Sequence, residues 1–222
     1  MSVTIVTALY QGQDVPQHSR HIFDATWADK LYRGINRFCD DFEFVCLVDQ
    51  DYDFKEDIRP VRFENDFRNM FCLLEALRGS YGGGHRLFMG LDTIITGDID
   101  HIAEFRPDFA MIRDPYFPRR ASGVMSFSVE KGQEIYEKFQ SDVNKNRFQM
   151  MNCVSDMIWL DGNIPISETI ILQDEFPGQI LSYKADIRDQ NGPTADARIV
   201  YFHGDPKPHQ LFDGDPWGAY WI

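Results

Sequence analysis

The sequence predicts an α/β fold with a mixed, mostly parallel β-sheet flanked by helices. Residues 3–9 and 42–48 are apolar runs rich in β-branched and aromatic side chains, a pattern typical of strands buried on both faces. Between them, residues 18–38 carry apolar side chains at helical spacing. A strand, a helix and a second strand in this order predict two parallel strands joined by a crossover helix.

Length and composition favour one folded domain. The chain has 222 residues, 43% of them hydrophobic, and contains no evident repeat or low-complexity tract. One hydrophobic core suits an α/β chain of this size. We therefore expect a single domain over residues 1–222, with its core at about 3–208 and a C-terminal tail at 209–222.

The chain is acidic, with 22 basic and 35 acidic side chains and a net charge of −13. Nucleic acids and anionic membranes bind basic surfaces, so neither is expected as a partner. An anionic substrate would need local cations or a metal ion. Residues 1–9 lack the basic flank of a signal peptide, and no segment reaches the roughly 18 apolar residues of a membrane span. We expect a soluble, cytoplasmic protein without a transmembrane segment; the sequence leaves its oligomeric state open.

Further strands and helices follow from the remaining apolar patterns. We expect helices over residues 66–77, 99–105, 131–139 and 149–160, and strands over residues 109–112, 123–127, 179–183 and 198–202. The glycine-rich residues 79–84 precede a strand, whereas a phosphate-binding loop joins a strand to a helix, so they predict a flexible turn. Four cysteines lie in apolar runs without metal-binding spacing and are expected to be reduced core residues: Cys39, Cys46, Cys72 and Cys153.

Residues 87–98 (LFMGLDTIITGD) form the centre of the candidate site, because they predict a buried strand that ends on an acid, Asp92. In α/β sheets ligands bind in the crevice at the carboxyl ends of strands. His203 directly follows the last predicted strand and precedes a Gly/Pro turn. Asp92 and His203 therefore supply metal-ligand or catalytic side chains at two strand ends.

Other acidic clusters are less specific. Residues 49–60 begin like a calcium loop, but position six is Phe54 and position twelve is Pro60, where glycine and glutamate are needed. A solvated loop is the better interpretation, with Asp49 as a possible contact for a base or ribose. Asp98 is best explained as a helix cap, and residues 213–216 as a turn.

Several segments together resemble GT-A glycosyltransferases, in particular bacterial and viral relatives of the glycogenin-like family 8. Residues 89–99 (MGLDTIITGDI) are similar to the Asp-x-Asp strand, 121–125 (ASGVM) to the strand that lines the donor sugar, and 202–208 (FHGDPKP) to the late His-x-Gly-x-x-Lys-Pro element. Ser155 and Asp156 fall where the family has a helix acid near the acceptor, and residues 176–184 resemble the loop and strand before the late element. The resemblance spans residues 3 to about 207 and implies a single GT-A-like, Rossmann-like domain.

The resemblance also implies an activity. The chain would move a hexose-type sugar from a nucleotide diphosphate donor, a uridine diphosphate sugar, to a carbohydrate or glycan acceptor, with retention of configuration. Asp92 and His203 would hold Mn²⁺ or Mg²⁺, which stabilises the negative charge on the departing nucleotide.

The remaining site residues are carried over in the same way. Asp156 would be the catalytic residue, and it would orient the acceptor or the sugar rather than act as a nucleophile. The donor would contact Tyr10 through its nucleobase and Lys207 through its diphosphate. The other donor contacts are Asp92, Ser122, Gly123 and Gly204.

Two departures from the family pattern leave an alternative open. Gly90 stands where relatives carry the first carboxylate of Asp-x-Asp, and Ala121 replaces an amide side chain near the donor sugar. A catalytically silent nucleotide-sugar binding protein is therefore the alternative function. A nucleotidyltransferase is less favoured, because residues 10–14 (YQGQD) contain no basic side chain for phosphate.

Overall fold

Two β-sheets form the centre of the computed structural model. The structure describes residues 3–11, 23–65, 67, 69–151, 155–189, 194–211 and 214–222, with the backbone alone for residues 69 and 144–151. The strands are β1 (Val3–Leu9), β2 (Phe42–Val48), β3 (Arg59–Arg62), β4 (His85–Met89), β5 (Thr93–Ile95), β6 (Phe109–Arg113), β7 (Arg120–Ser128), β8 (Ile170–Ile171), β9 (Ile180–Ser182) and β10 (Ile199–Tyr201). The α-helices are α1 (Ala25–Asn36), α2 (Asp100–Ala103), α3 (Val129–Met151), α4 (Asp156–Asn163) and α5 (Leu172–Glu175).

Shorter helical segments connect these elements. The 3-10 helices are Asn69–Leu77, Gly79–Tyr81, Ile166–Glu168, Pro208–Gln210 and Pro216–Tyr220, and Tyr183–Asp189 is a π-helix.

The larger sheet has the strand order β3-β2-β1-β4-β7-β6-β8. Strands β3, β2, β1 and β4 are parallel, β7 is antiparallel to both of its neighbours, and β6 pairs in parallel with β8. This arrangement confirms the predicted α/β fold with a mixed, mostly parallel sheet.

Strand β1 is apolar throughout because each of its faces packs against a separate core. All seven of its residues are buried. Ile5 and Leu9 belong to the core that contains Leu31 and Ile35 of α1. Val6 belongs to the core on the opposite face, which includes residues of the 3-10 helix Asn69–Leu77 and of α3. Continuous hydrophobicity is the pattern expected of a strand covered on both sides.

The segment around Asp92 differs from its prediction. Residues 87–98 are two strands in two sheets: β4 ends at Met89, and β5 leaves the larger sheet to pair with β10. Residues 91 and 92 form the turn between them. The prediction of one strand that ends on Asp92 was therefore wrong, because backbone pairing with a distant strand cannot be read from local hydrophobicity.

Two predicted helices also differ. The expected helix over residues 149–160 is interrupted, because α3 ends at Met151 and α4 begins at Asp156, where Ser155 caps it by accepting a hydrogen bond from the Ile158 N–H (3.4 Å). Residues 69–77 form a 3-10 helix, while residues 66 and 68 lie outside the described residues. Strands β3 and β8 were not predicted; β3 contains Pro60, which an edge strand tolerates.

The N-terminal part of the predicted first helix, up to residue 22, lies outside the described residues, and so does Cys153. The other three cysteines are buried, as expected.

Gly132 and Gly162 provide a matched test of packing in α3 and α4. A Cβ at Gly132 would lie 2.7 Å from the Leu77 carbonyl oxygen and 2.9 Å from a Phe127 ring carbon, whereas a Cβ at Gly162 would have nothing within 4 Å. We expect Gly132→Ala to lower the free energy of unfolding by about 1–3 kcal/mol through overpacking. Gly162→Ala should raise it by about 0.5 kcal/mol through helix propensity. Urea unfolding followed by circular dichroism measures both, and equal effects of the two variants would contradict this packing.

Candidate active site

The carboxyl ends of three parallel strands meet at one edge of the larger sheet. Tyr10 follows β1, Asp49 follows β2 and Gly90 follows β4. Asp49 joins two of these ends, because one carboxylate oxygen accepts a hydrogen bond from the Gln11 N–H (2.8 Å) and the other from the Tyr52 hydroxyl (2.9 Å). This edge is where ligands bind in open α/β sheets.

The small sheet brings Asp92 and His203 to the same place. Strand β5 runs antiparallel to β10, with Thr93 opposite Tyr201. The pairing continues one residue further, because the Phe202 N–H donates to the Asp92 carbonyl oxygen (3.0 Å). His203 is close enough to Asp92 for this carboxylate to affect its pKa. The two predicted strand-end residues therefore lie together, although the sequence separates them widely.

Lys207 forms an ion pair with the Asp92 carboxylate. Its ammonium group donates to Asp92 Oδ2 and lies 3.5 Å from the Phe202 carbonyl oxygen. The side chains are only 13% and 19% exposed, so water screens the pair incompletely. The Lys207 N–H donates to the Gln210 side chain (2.6 Å), which fixes the backbone where the 3-10 helix Pro208–Gln210 begins. A lysine and an acid that the resemblance assigned to the same donor are thus in direct contact.

His203 is held from two sides. Its Nε2 shares a hydrogen bond of 2.8 Å with the Ser182 hydroxyl oxygen, which also accepts a bond from the Ala185 N–H (3.1 Å). The ring of Tyr116 packs edge-on against the imidazole, with 5.3 Å between ring centroids. Burial, followed by the positive charge of Lys184, lowers the pKa of His203. The imidazole is therefore neutral near pH 7.

Gly90 and Gly123 bring the start of β7 beside Asp92. The Gly90 N–H donates to the Gly123 carbonyl oxygen (2.9 Å), which extends the pairing of β4 with β7. A Cβ at Gly90 would lie 3.0 Å from Asp92 Oδ1, so the Asp92 carboxylate covers the glycine. A side chain at position 90 would require this carboxylate oxygen to shift by a few tenths of an ångström.

Asp156 is a buried acid at the first position of α4. The Ser122 hydroxyl donates to it, which joins two residues that the resemblance placed in the site. Its Oδ2 atom has no hydrogen-bond partner within the described residues. Burial raises the pKa of Asp156 to about 6, although the bonds from Ser122 and the Met157 N–H oppose this rise. A buried carboxylate oxygen without a partner is costly, so a ligand hydroxyl would bind there favourably.

Tyr10 lies next to this acid but points its hydroxyl inward. The hydroxyl is 3.0 Å from the Met70 sulfur, and the ring packs edge-on against Phe63, with centroids 6.3 Å apart. Burial, with smaller contributions from Cys72 and Asp156, raises the pKa of Tyr10 well above its ordinary value. Its predicted contact with a nucleobase stays a prediction.

The other acids have structural partners. Asp98 accepts a hydrogen bond from the Asp100 N–H (2.9 Å) at the start of α2, and Asp100 accepts one from the Asp40 N–H (2.9 Å). Asp215 accepts bonds from the Tyr183 hydroxyl (2.6 Å) and from the Trp217 N–H (2.9 Å). Asp213 lies outside the described residues.

Lys184 belongs to the candidate site but was given no role by the sequence. Strands β9 and β10 are parallel, so the residues that follow them meet at one edge. Lys184 Nζ lies 3.7 Å from the position of a Cβ at Gly204, which has a positive φ of 62°. In the sequence, Lys184 is a basic residue directly after a predicted strand. Only the pairing of β9 with β10 shows that it lies beside Gly204.

Comparison with solved structures identifies the fold. The glycosyltransferase GlyE of Streptococcus pneumoniae TIGR4 superposes with a TM-score of 0.69 at 15% identity, over 99% of this chain and 59% of GlyE. The galactosyltransferase LgtC, solved with donor and acceptor sugar analogs, superposes with a TM-score of 0.65 at 11% identity, over 98% of this chain and 94% of LgtC. The chain has the fold of these glycosyltransferases. This confirms the predicted GT-A-like fold, and the chain spans just over half the length of GlyE.

Sequence comparisons add little to this result. No family model matches the chain. Pyrimidine pathway regulatory protein 1 of Saccharomyces cerevisiae is 42% identical over 62 residues, which are 27% of this chain and 7% of that protein. So short an overlap does not establish a shared family. Among the helices that the structure describes, none combines the length and hydrophobicity needed to cross a membrane.

The buried state of Asp156 predicts a pH-dependent gain in stability on its removal. Its pKa is about 6 in the folded protein and about 3.9 in an unfolded chain. The folded state therefore binds the proton more tightly, and ionisation costs stability as the pH rises through this interval. We expect Asp156→Asn to be more stable than wild type by about 3 kcal/mol at pH 8 and nearly equal to it at pH 4. Urea unfolding of both proteins at the two pH values measures this difference, and a pH-independent difference would contradict it.

Proposed function

We propose that this protein is a glycosyltransferase that moves a hexose-type sugar from a uridine diphosphate sugar to a carbohydrate acceptor. The observation that carries the proposal is the buried Asp156 oxygen without a partner, set beside Ser122 at the ligand-binding edge of a GT-A-like fold. A sugar hydroxyl is a donor of the right size and chemistry for this oxygen. The solved glycosyltransferases of the same fold support the reaction class.

The two ends of the donor would meet opposite charges. Lys207 would contact the diphosphate as a point charge, shared with Asp92, and the turn at Gly204 would lie alongside. Asp156, ionised above pH 6, would accept a hydrogen bond from the sugar. A cation next to the diphosphate stabilises the negative charge that develops as the sugar–phosphate bond breaks. Lys207 would thus act both in donor binding and in stabilising the departing diphosphate, and Asp156 would position the sugar.

Transfer with retention of configuration follows from the resemblance alone. In this reaction the bond from the anomeric carbon to the diphosphate oxygen breaks, and a bond to the acceptor oxygen forms on the same face. The departing phosphate oxygen takes the acceptor proton. Asp156 would orient the sugar or the acceptor hydroxyl in this step and would not form a covalent intermediate.

The divalent cation at Asp92 and His203 stays a prediction of the resemblance, and the residues present do not fit it. Within the described residues, no three His, Cys, Asp or Glu side chains come together around a possible ion. Asp92 Oδ2 is bound by Lys207, His203 Nε2 is bound by Ser182, and position 90 has no side chain. Mg²⁺ and Mn²⁺ require oxygen-rich sites, typically with carboxylates that are free to bind. We therefore assign no step of the reaction to a metal ion.

Gly90 favours the second candidate, a nucleotide-sugar binding protein without turnover. The missing carboxylate removes one ligand and leaves the fold intact. The two candidates differ in turnover only, because both require donor binding.

Donor binding is tested first, and turnover of the donor is tested second. A panel of nucleotide sugars is titrated into the protein by calorimetry, and donor hydrolysis is then measured with the best binder. We expect Asp156→Asn to bind the donor within about threefold of wild type but to hydrolyse it about 100-fold more slowly, because the sugar is misplaced. Failure of all nucleotide sugars to bind would refute both candidates, and binding without hydrolysis or transfer would favour the silent one.

Lys207→Met tests the proposed diphosphate contact. We expect donor affinity to fall about tenfold or more, which is the effect of losing one charge-assisted hydrogen bond. Lys138→Met is the matched control, since Lys138 is exposed on α3 and donates to the Asn163 carbonyl oxygen (2.6 Å). Equal affinities of the two variants would show that Lys207 does not bind the donor.

A further inference from the structure

Lys184 is a half-buried cation above the turn at Gly204. It lies in the π-helix Tyr183–Asp189, which begins directly after β9, and its ammonium group lies 3.7 Å from the Cβ position of Gly204. Gly204 has a positive φ of 62°, and the Lys184 ammonium is the one group of the described residues within 4 Å of its Cβ position. Lys207 follows three residues later, and its ammonium group is paired with Asp92. The charges of Lys184 and Lys207 both lower the pKa of His203, so the two ammonium groups, from different elements, lie near one imidazole.

Lys184 has no counter-ion within the described part of the chain. Its positive charge lowers the pKa of both His203 and Asp189, so it is electrostatically close to each. Asp189 is already bound by Arg188 (2.6 Å) and by the Tyr116 hydroxyl (3.1 Å). Asp186 accepts a hydrogen bond from the Ser182 N–H (2.7 Å). In a chain with a net charge of −13, a half-buried lysine without an acidic partner indicates a site for an anion.

We infer that Lys184 and Lys207 together hold the donor diphosphate and supply the positive charge that a divalent cation would otherwise provide. The inference rests on the proposed function. It adds Lys184 to the donor site and predicts that donor binding needs no divalent cation. Two ammonium groups carry the same total charge as one Mg²⁺ or Mn²⁺. Lysine clamps and metal ions are alternative means of stabilising a transferring or departing phosphate. The lysine pair also explains how the site tolerates Gly90, since no metal has to be held there.

Binding of UDP with and without metal tests this inference directly. UDP, or the nucleoside diphosphate of whichever donor binds best, is titrated into the full chain in EDTA and again in excess Mn²⁺. We expect tight binding in EDTA and a change of less than about threefold with Mn²⁺. Lys184→Met should weaken UDP binding in EDTA about tenfold or more, while uridine binding changes less than about threefold. Lys184→Arg should retain most of the affinity, and Lys138→Met is the control for loss of one positive charge.

The possible outcomes separate the inference from the proposed function. UDP binding that is lost in EDTA and restored by Mn²⁺, with Lys184→Met equal to wild type, would overturn the inference and leave a metal-dependent transferase. No binding of any nucleoside diphosphate under either condition would refute the proposed function itself. The comparison of EDTA with Mn²⁺ uses the unmodified protein, so it decides the metal requirement even if a lysine variant does not fold.

A substitution at position 90 tests whether a metal response can be introduced into the site. Gly90→Asp adds a carboxylate two residues from Asp92 and adds negative charge near the diphosphate. We expect it to weaken UDP binding in EDTA and to make that binding respond to Mn²⁺, whereas Gly90→Ala should show no response to Mn²⁺. A response to Mn²⁺ in Gly90→Ala equal to that of Gly90→Asp would contradict the inference.

Discussion

Asp92 and Lys207 form an ion pair in the turn that connects the two sheets. The other candidate residues are joined to this turn by backbone hydrogen bonds or lie close to it. The backbone bond from the Phe202 N–H to the Asp92 carbonyl oxygen (3.0 Å) joins β10 to the turn after β4. This bond places His203, the next residue, beside Asp92. The Gly90 N–H donates to the Gly123 carbonyl oxygen (2.9 Å), which joins β7 to the same turn. The turn around Asp92 therefore holds the start of β7 and residues 202–208 together.

Charge is distributed unevenly across this edge of an acidic protein. Lys184 supplies positive charge beside the turn at Gly204, and Lys207 supplies it beside Asp92. Asp156 is buried, with a pKa raised to about 6 and one oxygen that has no hydrogen-bond partner among the described residues. A sugar nucleotide has the complementary distribution, with anionic phosphates next to a ring of hydroxyl groups. A buried acid with an unpartnered oxygen is expected to lower stability at neutral pH, a cost that residues of active sites commonly carry.

Local sequence patterns predicted much of the fold, because most of its strands are covered by helices. Strands β1 and β2 are recognisable as continuous apolar runs, and the positions of Asp92 and His203 after buried segments are visible in the sequence. The separation of β4 from β5 was not predictable in this way, because it depends on pairing with β10, about a hundred residues later. For the same reason the sequence placed Asp92 and Lys207 around one ligand but did not reveal that they bind each other. Lys184 was missed because its importance arises only when β9 and β10 align.

A crystal structure of the chain with bound UDP, grown once with Mn²⁺ and once with EDTA, shows directly whether Lys184 and Lys207 hold the diphosphate without a metal ion. We predict the same pose in both crystals, with diphosphate oxygens at about 2.8 Å from the ammonium groups of Lys184 and Lys207. A Mn²⁺ ion bound by Asp92 and His203 and bridging the diphosphate, with Lys184 directed elsewhere, would contradict it.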